Sequence, residues 1–407
     1  MAGKEPKLVA YGATINLAYV IVCIVIYAFF VPIDELEPDF YTFYRSGQYF
    51  LESPELLYDP SAYVLPFRYL PLTAALFSAL QLLPPLASYV AFQSATFACF
   101  LGVGKLVVAC DREIKGNPSG YDPHGVERYV AFFFAYAPQA LSYFCGQTNG
   151  FLSLLLVAGL YLHLKGRDGL AGACLGASVL LKPVAILVIP LLLDYDQLRK
   201  NWPRFFRQAI YLGAGTVVAL AANLVLFWSN PVLLEGYEAI NLRASVPGIG
   251  NHSSSLTRVL LNLFYSDRQE DGAWIFPLTL VAFYVVALAA KLKGGSSNRY
   301  APFAFATGTL VMLLAYYDAW DHHLLFFAPF LALCLDVPGV QQSKRAYSLA
   351  WKMFVALGLL IWTTAYLVVG VNFVTTMLEI ITFVSLVTIV FSGSLDAGSE
   401  SVARDGG

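Results

Sequence analysis

Charged residues are scarce in this sequence: only 13% of its 407 residues are Asp, Glu, Lys or Arg, and the net charge at pH 7 is −2. An average soluble domain has about 25% charged residues. The sequence has no basic cluster interleaved with aromatic residues, which argues against nucleic acid as a partner. The six cysteines are scattered and form no CxxC motif, so we interpret them as small packing residues.

Apolar residues are abundant instead, at 58% of the chain with a mean hydropathy of +0.64. Repeated apolar runs of about 20 residues match a bilayer core of roughly 30 Å. We therefore predict an all-α polytopic membrane protein with about 11–13 membrane elements, counting re-entrant ones. Residues 1–393 form one transmembrane domain in this interpretation, and the small, polar segment 394–407 is predicted to be a disordered tail.

The N-terminal apolar run, residues 8–31, has no small-residue cleavage site, so we expect an uncleaved anchor. Lys4 and Lys7 precede this run and an acidic loop follows it. The positive-inside rule then puts the N-terminus in the cytoplasm and the first loop, about residues 32–68, outside. Within that loop, residues 39–51 are predicted to form an amphipathic helix along the membrane surface, with Phe40 and Phe43 on its apolar side.

The middle of the chain leaves two topologies open. Residues 69–83 form a short apolar run that either crosses the membrane or is re-entrant, and the positive-inside rule favours the re-entrant alternative. Lys182 and Pro183 interrupt the apolar run 170–193, which predicts a broken helix. A long polar loop, about residues 229–255, is external. Both topologies keep Asp39, Asn251 and His322 on the external face.

Asp39 is the main candidate for a catalytic base. It follows Pro38 at the start of the predicted amphipathic helix, where the positive helix end favours the ionised carboxylate that a base requires. The alternative is plain helix capping, for which Asp is a favoured residue. Asp34, Glu35 and Glu37 are near-equal rivals by their spacing.

Several cations are candidates for binding a phosphate. Arg68, with Tyr69 next to it, lies at a membrane boundary and suits bidentate phosphate recognition, unless it is a snorkelling anchor. Lys182 is an intramembrane ion, which is costly, and its partner is predicted to be a phosphate or a carboxylate. The segment NHSSSLTR contributes Asn251, hydroxyl groups and Arg258 at the outer end of the long loop.

Neutral polar groups complete the set. Gln147 and Asn149 in GQTNG can bond sugar hydroxyls without a charge penalty, or can simply cap a helix. His322 and His323 in AWDHH point about 100° apart if they are helical, which makes a poor two-ligand metal site. One of them is better suited to phosphate binding or proton transfer, or both are interfacial caps. We expect no metal and no cofactor.

The order of these motifs resembles the polyprenyl-phosphate-mannose-dependent α-mannosyltransferases of the GT-C superfamily. The resemblance covers roughly residues 39–323, and it is most specific in the pair GQTNG and AGACLGASVLLKP. It implies a GT-C-like integral membrane glycosyltransferase whose active site faces away from the cytoplasm, with Asp39 as the base. The donor-contacting motifs of the family would map to the following residues: Arg68, Gln147, Asn149, Lys182, and His322 or His323.

We therefore predict inverting transfer of a hexose, most simply mannose, from a polyprenyl or dolichyl phosphate donor to a glycan or glycolipid acceptor. The reaction would take place on the extracytoplasmic face of the cell membrane. A transporter or flippase for a lipid-linked saccharide is the alternative from another class, because it would use the same contacts without a base.

Overall fold

The computed structural model describes residues 7–36, 38–116, 124–243, 253–265, 269–294, 298–316, 319–336, 352 and 371–391. In these ranges the chain forms helices and no strands. The α-helices are, in chain order, α1 (Lys7–Phe29), α2 (Ile33–Leu36), α3 (Asp39–Glu52), α4 (Pro71–Phe77), α5 (Pro85–Ile114), α6 (His124–Ala135), α7 (Ala137–Cys145), α8 (Asn149–Leu164), α9 (Asp168–Leu181), α10 (Val184–Leu192), α11 (Tyr195–Lys200), α12 (Trp202–Ser229), α13 (Pro231–Glu238), α14 (Leu256–Phe264), α15 (Ile275–Gly294), α16 (Ala301–Ala315), α17 (Ala328–Asp336) and α18 (Val371–Phe391).

Four of these helices, α1, α5, α12 and α15, are long and apolar enough to cross a membrane. Shorter apolar helices accompany them, among them α8, α9 and α16. Apolar side chains such as Val217 and Trp228 remain exposed on α12, at 66% and 89%, as expected of a surface that faces lipid. The protein is thus an all-α polytopic membrane protein, as predicted. Residues 337–351, 353–370 and the predicted tail 394–407 lie outside the described ranges.

The predicted amphipathic helix is confirmed as α3. It buries Phe40 and Phe43 completely or almost completely, at 0% and 2% exposure. The ring of Phe43 stacks on that of Phe77 at 4.7 Å between centroids, and the ring of Phe40 meets Tyr89 edge-on at 5.3 Å. These aromatic contacts attach α3 to α4 and α5, and so fix the position of Asp39 in its first turn.

The short apolar run after the first loop is α4, which continues into a 3-10 helix over Ser78–Leu82. The two pieces contain 7 and 5 residues. Together they extend roughly 20 Å, which is too short for a hydrocarbon core of roughly 30 Å. The length of this element therefore favours the re-entrant alternative.

A helix break separates α6 from α7 within an otherwise continuous apolar run. Pro138 has no N–H to donate to the carbonyl of Phe134, and Asn16 of α1 donates its Nδ2 to that carbonyl at 3.0 Å instead. The carbonyl of Ala135 accepts from the hydroxyl of Tyr19 at 3.0 Å. The polar side chains of α1 thus satisfy the backbone groups that the break exposes, as the interior of a membrane requires.

The predicted break at Lys182 and Pro183 is confirmed, since α9 ends at Leu181 and α10 begins at Val184. Lys182 has an extended backbone, with φ −153° and ψ 140°, which is the conformation expected of a residue before proline. The long loop 229–255 differs from a plain polar loop. It contains α13 and a π-helical turn over Ala239–Arg243, and residues 244–252 lie outside the described ranges.

Close packing of α9 against α12 fixes the position of Lys182, which follows the last residue of α9. A Cβ on Gly172 would lie 2.0 Å from the carbonyl oxygen of Tyr211, and one on Gly176 would lie 2.1 Å from the carbonyl carbon of Gly215. Small residues at such positions let two backbones approach each other in a membrane. Gly172 and Gly176 are therefore required by this helix pair.

Candidate active site

The turn between α7 and α8 contains the GQTNG motif. Gly146 ends α7 in the left-handed region, at φ 68°, and donates its N–H to the carbonyl of Tyr143 at 3.0 Å. The N–H of Gln147 reaches the carbonyl of Ser142 at 2.9 Å. This pair of bonds is a Schellman motif, which glycine at this position favours. The sequence therefore ends α7 at a defined place and presents Gln147 immediately beyond it.

Asp39 lies beside this turn. A Cβ on Gly146 would come within 2.5 Å of the Cβ of Phe40, so only a glycine lets α3 approach α7 this closely. The carboxylate of Asp39 interacts electrostatically with Cys145, the last residue of α7. Pro38 occupies the N-cap position of α3 and Asp39 the first turn. Asp39 therefore does not have the plain capping position, and the positive end of α3 favours its ionised form.

The rivals of Asp39 are placed differently. Asp34 and Glu35 lie in the first turn of α2 and are exposed. Glu37 lies outside the described residues.

Buried polar atoms without hydrogen-bond partners converge where α8 begins. Within the described part of the chain, the amide oxygens of Gln147 and Asn149, the hydroxyl of Thr148 and both ring nitrogens of His322 are buried and unbonded. Each such group costs about 1–3 kcal/mol when it stays unsatisfied. Uncharged acceptors with one hydroxyl and one imidazole match the hydroxyl groups of a sugar. Thr148 was not among the predicted residues, although it lies within the same motif.

The histidine pair belongs to a 3-10 helix, Asp321–Phe326, that packs against α7 and α8. Asn149 donates its Nδ2 to the carbonyl of His322 at 3.1 Å, and Ser153 donates its hydroxyl to the carbonyl of Leu325 at 3.1 Å. The rings of His322 and His323 are perpendicular, with centroids 4.5 Å apart. The start of α8 thus holds both the polar turn and the histidine pair.

Lys182 meets His323 from the end of α9. The Nζ of Lys182 lies 2.5 Å from Nε2 of His323 and 6.0 Å from the centre of the Phe326 ring. The N–H of Trp320 donates to Nδ1 of His323 at 3.1 Å, so a neutral imidazole carries its hydrogen on Nε2. That N–H then lies beside Nζ of Lys182, so both groups can donate to one oxygen of an anion bound next to them. The pair is therefore suited to bind a phosphate oxygen.

Both histidines are neutral over the physiological range. Burial lowers the pKa of His322 and of His323 well below its usual value, and the positive charge of Lys182 lowers both further. A neutral imidazole can accept a hydrogen bond from a sugar hydroxyl or donate one to it, without adding a buried charge. Of the two, His323 is the residue that contacts Lys182, and His322 is the one next to Asn149.

Arg258 approaches the same loop from α14. The N–H of Ser254 donates to the carbonyl of Ala319 at 2.7 Å, and the N–H of Ala319 donates to the hydroxyl of Ser253 at 3.0 Å. Ser255 then caps α14 by accepting from the N–H of Arg258 at 3.1 Å. The Arg258 side chain is only 1% exposed. This serine run therefore joins Arg258 to the segment that contains the histidines.

The FRYLP segment reaches the end of α9 through the start of α4. The N–H of Leu72 donates to Oδ1 of Asn223 on α12 at 2.8 Å, and the hydroxyl of Thr73 donates to the carbonyl of Leu180 at 2.5 Å. Arg68 therefore lies a few residues from the part of α4 that touches α9 near Lys182. The neighbouring Tyr69 is held by its carbonyl, which accepts from the hydroxyl of Tyr58 at 2.8 Å.

The structure thus brings Asp39, the GQTNG turn, the histidine pair and Lys182 together, with Arg258 and the segment of Arg68 and Tyr69 adjoining them. Asn251 lies outside the described residues. The described ranges hold no group of three or more His, Cys, Asp or Glu side chains suited to a metal ion.

A family model for glycosyltransferase family 87 matches residues 67–316, which is more than half of the chain. The matched segment contains Arg68, the GQTNG turn, Lys182 and Arg258, whereas Asp39 and the histidine pair lie outside it. No curated protein matches the chain.

Proposed function

The chain belongs to glycosyltransferase family 87, and from that premise we propose that it transfers a hexose from a polyprenyl or dolichyl phosphate. With its apolar helices it is a membrane glycosyltransferase. Mannose is the hexose of first choice, given the resemblance of the motifs. The acceptor is a glycan or a glycolipid. The donor cannot leave the bilayer, which is the physical reason for an enzyme built from membrane helices.

The order of the groups in the site supports this proposal. Asp39 precedes Phe40, which packs against Gly146 of the GQTNG turn, and the buried amide oxygens of that turn suit sugar hydroxyls. Asn149 connects the turn to His322, and beyond it stand His323 and Lys182, which suit a phosphate. A hexose bound at the turn would have the carboxylate on one side and the cation on the other. Such a placement would allow the acceptor to attack opposite the leaving group, which supports the proposed inversion at the anomeric carbon.

The chemistry follows from this arrangement. The acceptor hydroxyl forms the new bond to the anomeric carbon while Asp39 takes its proton. The bond between the anomeric carbon and the phosphate oxygen breaks, and its electron pair stays on the lipid phosphate. The negative charge of that phosphate grows in the transition state, so Lys182, together with Arg68 or Arg258, stabilises it. Phosphate is already a good leaving group, and the reaction requires neither a metal nor a cofactor.

A transfer assay with Asp39→Asn tests the proposal. Purified protein is incubated with labelled polyprenyl-phosphate hexoses and membrane glycolipids, and labelled product is measured. We expect the wild type to transfer mannose and Asp39→Asn to lose a factor of about 10²–10⁴ in rate. Asp34→Asn, on the exposed helix α2, removes the same charge and should retain the rate.

Full activity of Asp39→Asn would remove this residue from the role of base. Movement of a lipid-linked saccharide across liposomes without any sugar transfer would favour the flippase instead.

A further inference from the structure

A second polar cleft lies at the opposite end of α9 from the candidate active site. It has a volume of about 550 Å³ and is formed by the starts of α9 and α12 together with α11. This volume lies within the range of about 300–1,000 Å³ typical of ligand sites. α9 has 14 residues, which corresponds to roughly 21 Å of helix between this cleft and Lys182. The cleft is therefore separate from the candidate active site.

Three arginines line the cleft: Arg167, Arg204 and Arg207. Among the described residues, none of their guanidinium groups makes a hydrogen bond or an ion pair. The two acids of the lining have other partners. Asp168 bonds to Nδ1 of His163 at 2.7 Å, and the carboxylate of Asp194 accepts the N–H of Asp196 at 3.2 Å. Three arginines against two carboxylates leave the cleft with an excess of positive charge, and the guanidinium groups have no partner within the described ranges, which suits an anion.

The arginines identify the kind of anion. A guanidinium binds a phosphate through two parallel N–H bonds, and three of them around one cleft favour a phosphate group over a single carboxylate. The N-terminus of α9, whose Asp168 and Gly169 also line the cleft, adds the partial positive charge of a helix end.

Apolar side chains lie beside the cleft and favour an anion that is attached to apolar chains. Leu170 and Tyr211 line the cleft and are 55% and 50% exposed, and Trp202 begins α12 with 64% exposure. Further along α12, Ile210 is 63% exposed, and the exposed apolar side of the helix continues from there. Exposed Trp and Tyr next to a basic cluster are typical of a membrane boundary. The cleft is thus open toward the region that acyl chains occupy.

We propose that this cleft binds the phosphate headgroup of an anionic phospholipid, with its acyl chains along the exposed side of α12. The basic residues put this end of the molecule on the cytoplasmic side. The lipid would be a component of the folded protein, since it bridges α9 and α12, the two helices that hold Lys182 in place. This proposal does not depend on the glycosyl transfer.

Lipid binding to the full-length protein in detergent tests the proposal. The apparent melting temperature is measured while phosphatidylglycerol is titrated, with phosphatidylcholine and inorganic phosphate as separate arms. We expect phosphatidylglycerol to raise the melting temperature and the other two to have little effect. Arg204→Gln combined with Arg207→Gln should weaken the apparent affinity for phosphatidylglycerol roughly 30-fold, from the usual contribution of two basic residues near a membrane surface.

The matched control is Arg199→Gln combined with Lys200→Gln. Both residues are exposed on α11 and neither lines the cleft, so the same charge is removed outside it. An equal loss of affinity in this control would overturn the proposal in favour of general surface attraction. An equal effect of inorganic phosphate would overturn the lipid as the ligand.

If the glutamine pair does not fold, Arg204→Lys with Arg207→Lys keeps the charge but loses the bidentate bonds. It should weaken binding by a smaller factor, and unchanged binding would contradict the proposed phosphate contact.

Discussion

The ionisation of His322 and His323 makes the free energy of unfolding depend on pH. Burial and Lys182 lower the pKa of both, so the folded protein keeps them neutral below pH 6.5. In the unfolded chain a histidine titrates at about 6.5. Below this pH the unfolded state takes up protons that the folded state does not, which favours unfolding. The stability is therefore complete above about pH 6.5 and is lost as the pH falls toward the lower folded pKa values.

We predict that the apparent melting temperature of the detergent-solubilised protein falls between pH 7 and pH 5. Each histidine contributes a slope of up to about 1.4 kcal/mol per pH unit in the free energy of unfolding. Thermal melts at several pH values measure the slope, and His322→Asn should reduce it by about the share of one histidine. The same slope in His322→Asn and in the wild type would mean that His322 is not held neutral by its surroundings.

For single residues, the sequence identifies polar side chains that interrupt apolar runs. It does not identify which of these side chains contact each other in the folded protein. GQTNG and Lys182 stand out because each interrupts an apolar run. The contact between Lys182 and His323 joins residues 141 positions apart, and no local pattern encodes it. Thr148 lies in the GQTNG turn and was missed, since only the structure shows that its buried hydroxyl has no hydrogen-bond partner.

At the scale of helices, the packing of α9 against α12 determines the position of Lys182. Gly176 leaves no room for a side chain, since its Cβ would lie 2.1 Å from the backbone of Gly215. Gly213, two residues before Gly215 on α12, has no atom within 4 Å of such a Cβ. The two glycines therefore differ in what a substitution does, although both lie within membrane helices.

We predict that Gly176→Val separates α9 from α12 and lowers the stability of the protein by about 1–3 kcal/mol or more, as overpacking does. Because Lys182 follows at the end of α9, sugar transfer should fall as well. Gly213→Ala is the matched control and should be neutral or slightly stabilising, since alanine is the better helix former. The melting temperatures and transfer rates of both variants are the measurements, and a harmless Gly176→Val would contradict the close packing.

Helix breaks differ in how far the sequence predicts them. The break after Lys182 is predicted because a charged residue and Pro183 stand next to each other. Each of them disfavours a continuous helix in a membrane. The break at Tyr136 lies in an apolar, aromatic run, and its carbonyls are satisfied by Asn16 and Tyr19 from a helix more than 100 residues earlier. Partners that distant in sequence cannot be identified from the run itself.

For the whole molecule, the distribution of charge supports the proposed orientation in the membrane. Asp34 and Glu35 lie exposed near the end with the candidate site, whereas Arg199 and Lys200 lie exposed near the end with the arginine cleft. The helix α4 is short for a crossing, which favours the topology in which the loops around Lys165 and Arg167 share the side of the basic end. The sequence left this choice open, because an apolar run of 15 residues is compatible with either topology.

The orientation can be tested with single cysteines introduced at the two ends. The six native cysteines are free but buried or half-buried, so the unmodified chain should give a low background of labelling. In intact cells, a membrane-impermeant maleimide should label Asp34→Cys from outside. It should label Arg199→Cys only after the membrane is opened, because the basic end faces the cytoplasm. Labelling of Arg199→Cys in intact cells, with Asp34→Cys protected, would put Asp39 and the histidine pair on the cytoplasmic side, where the proposed extracytoplasmic transfer could not take place.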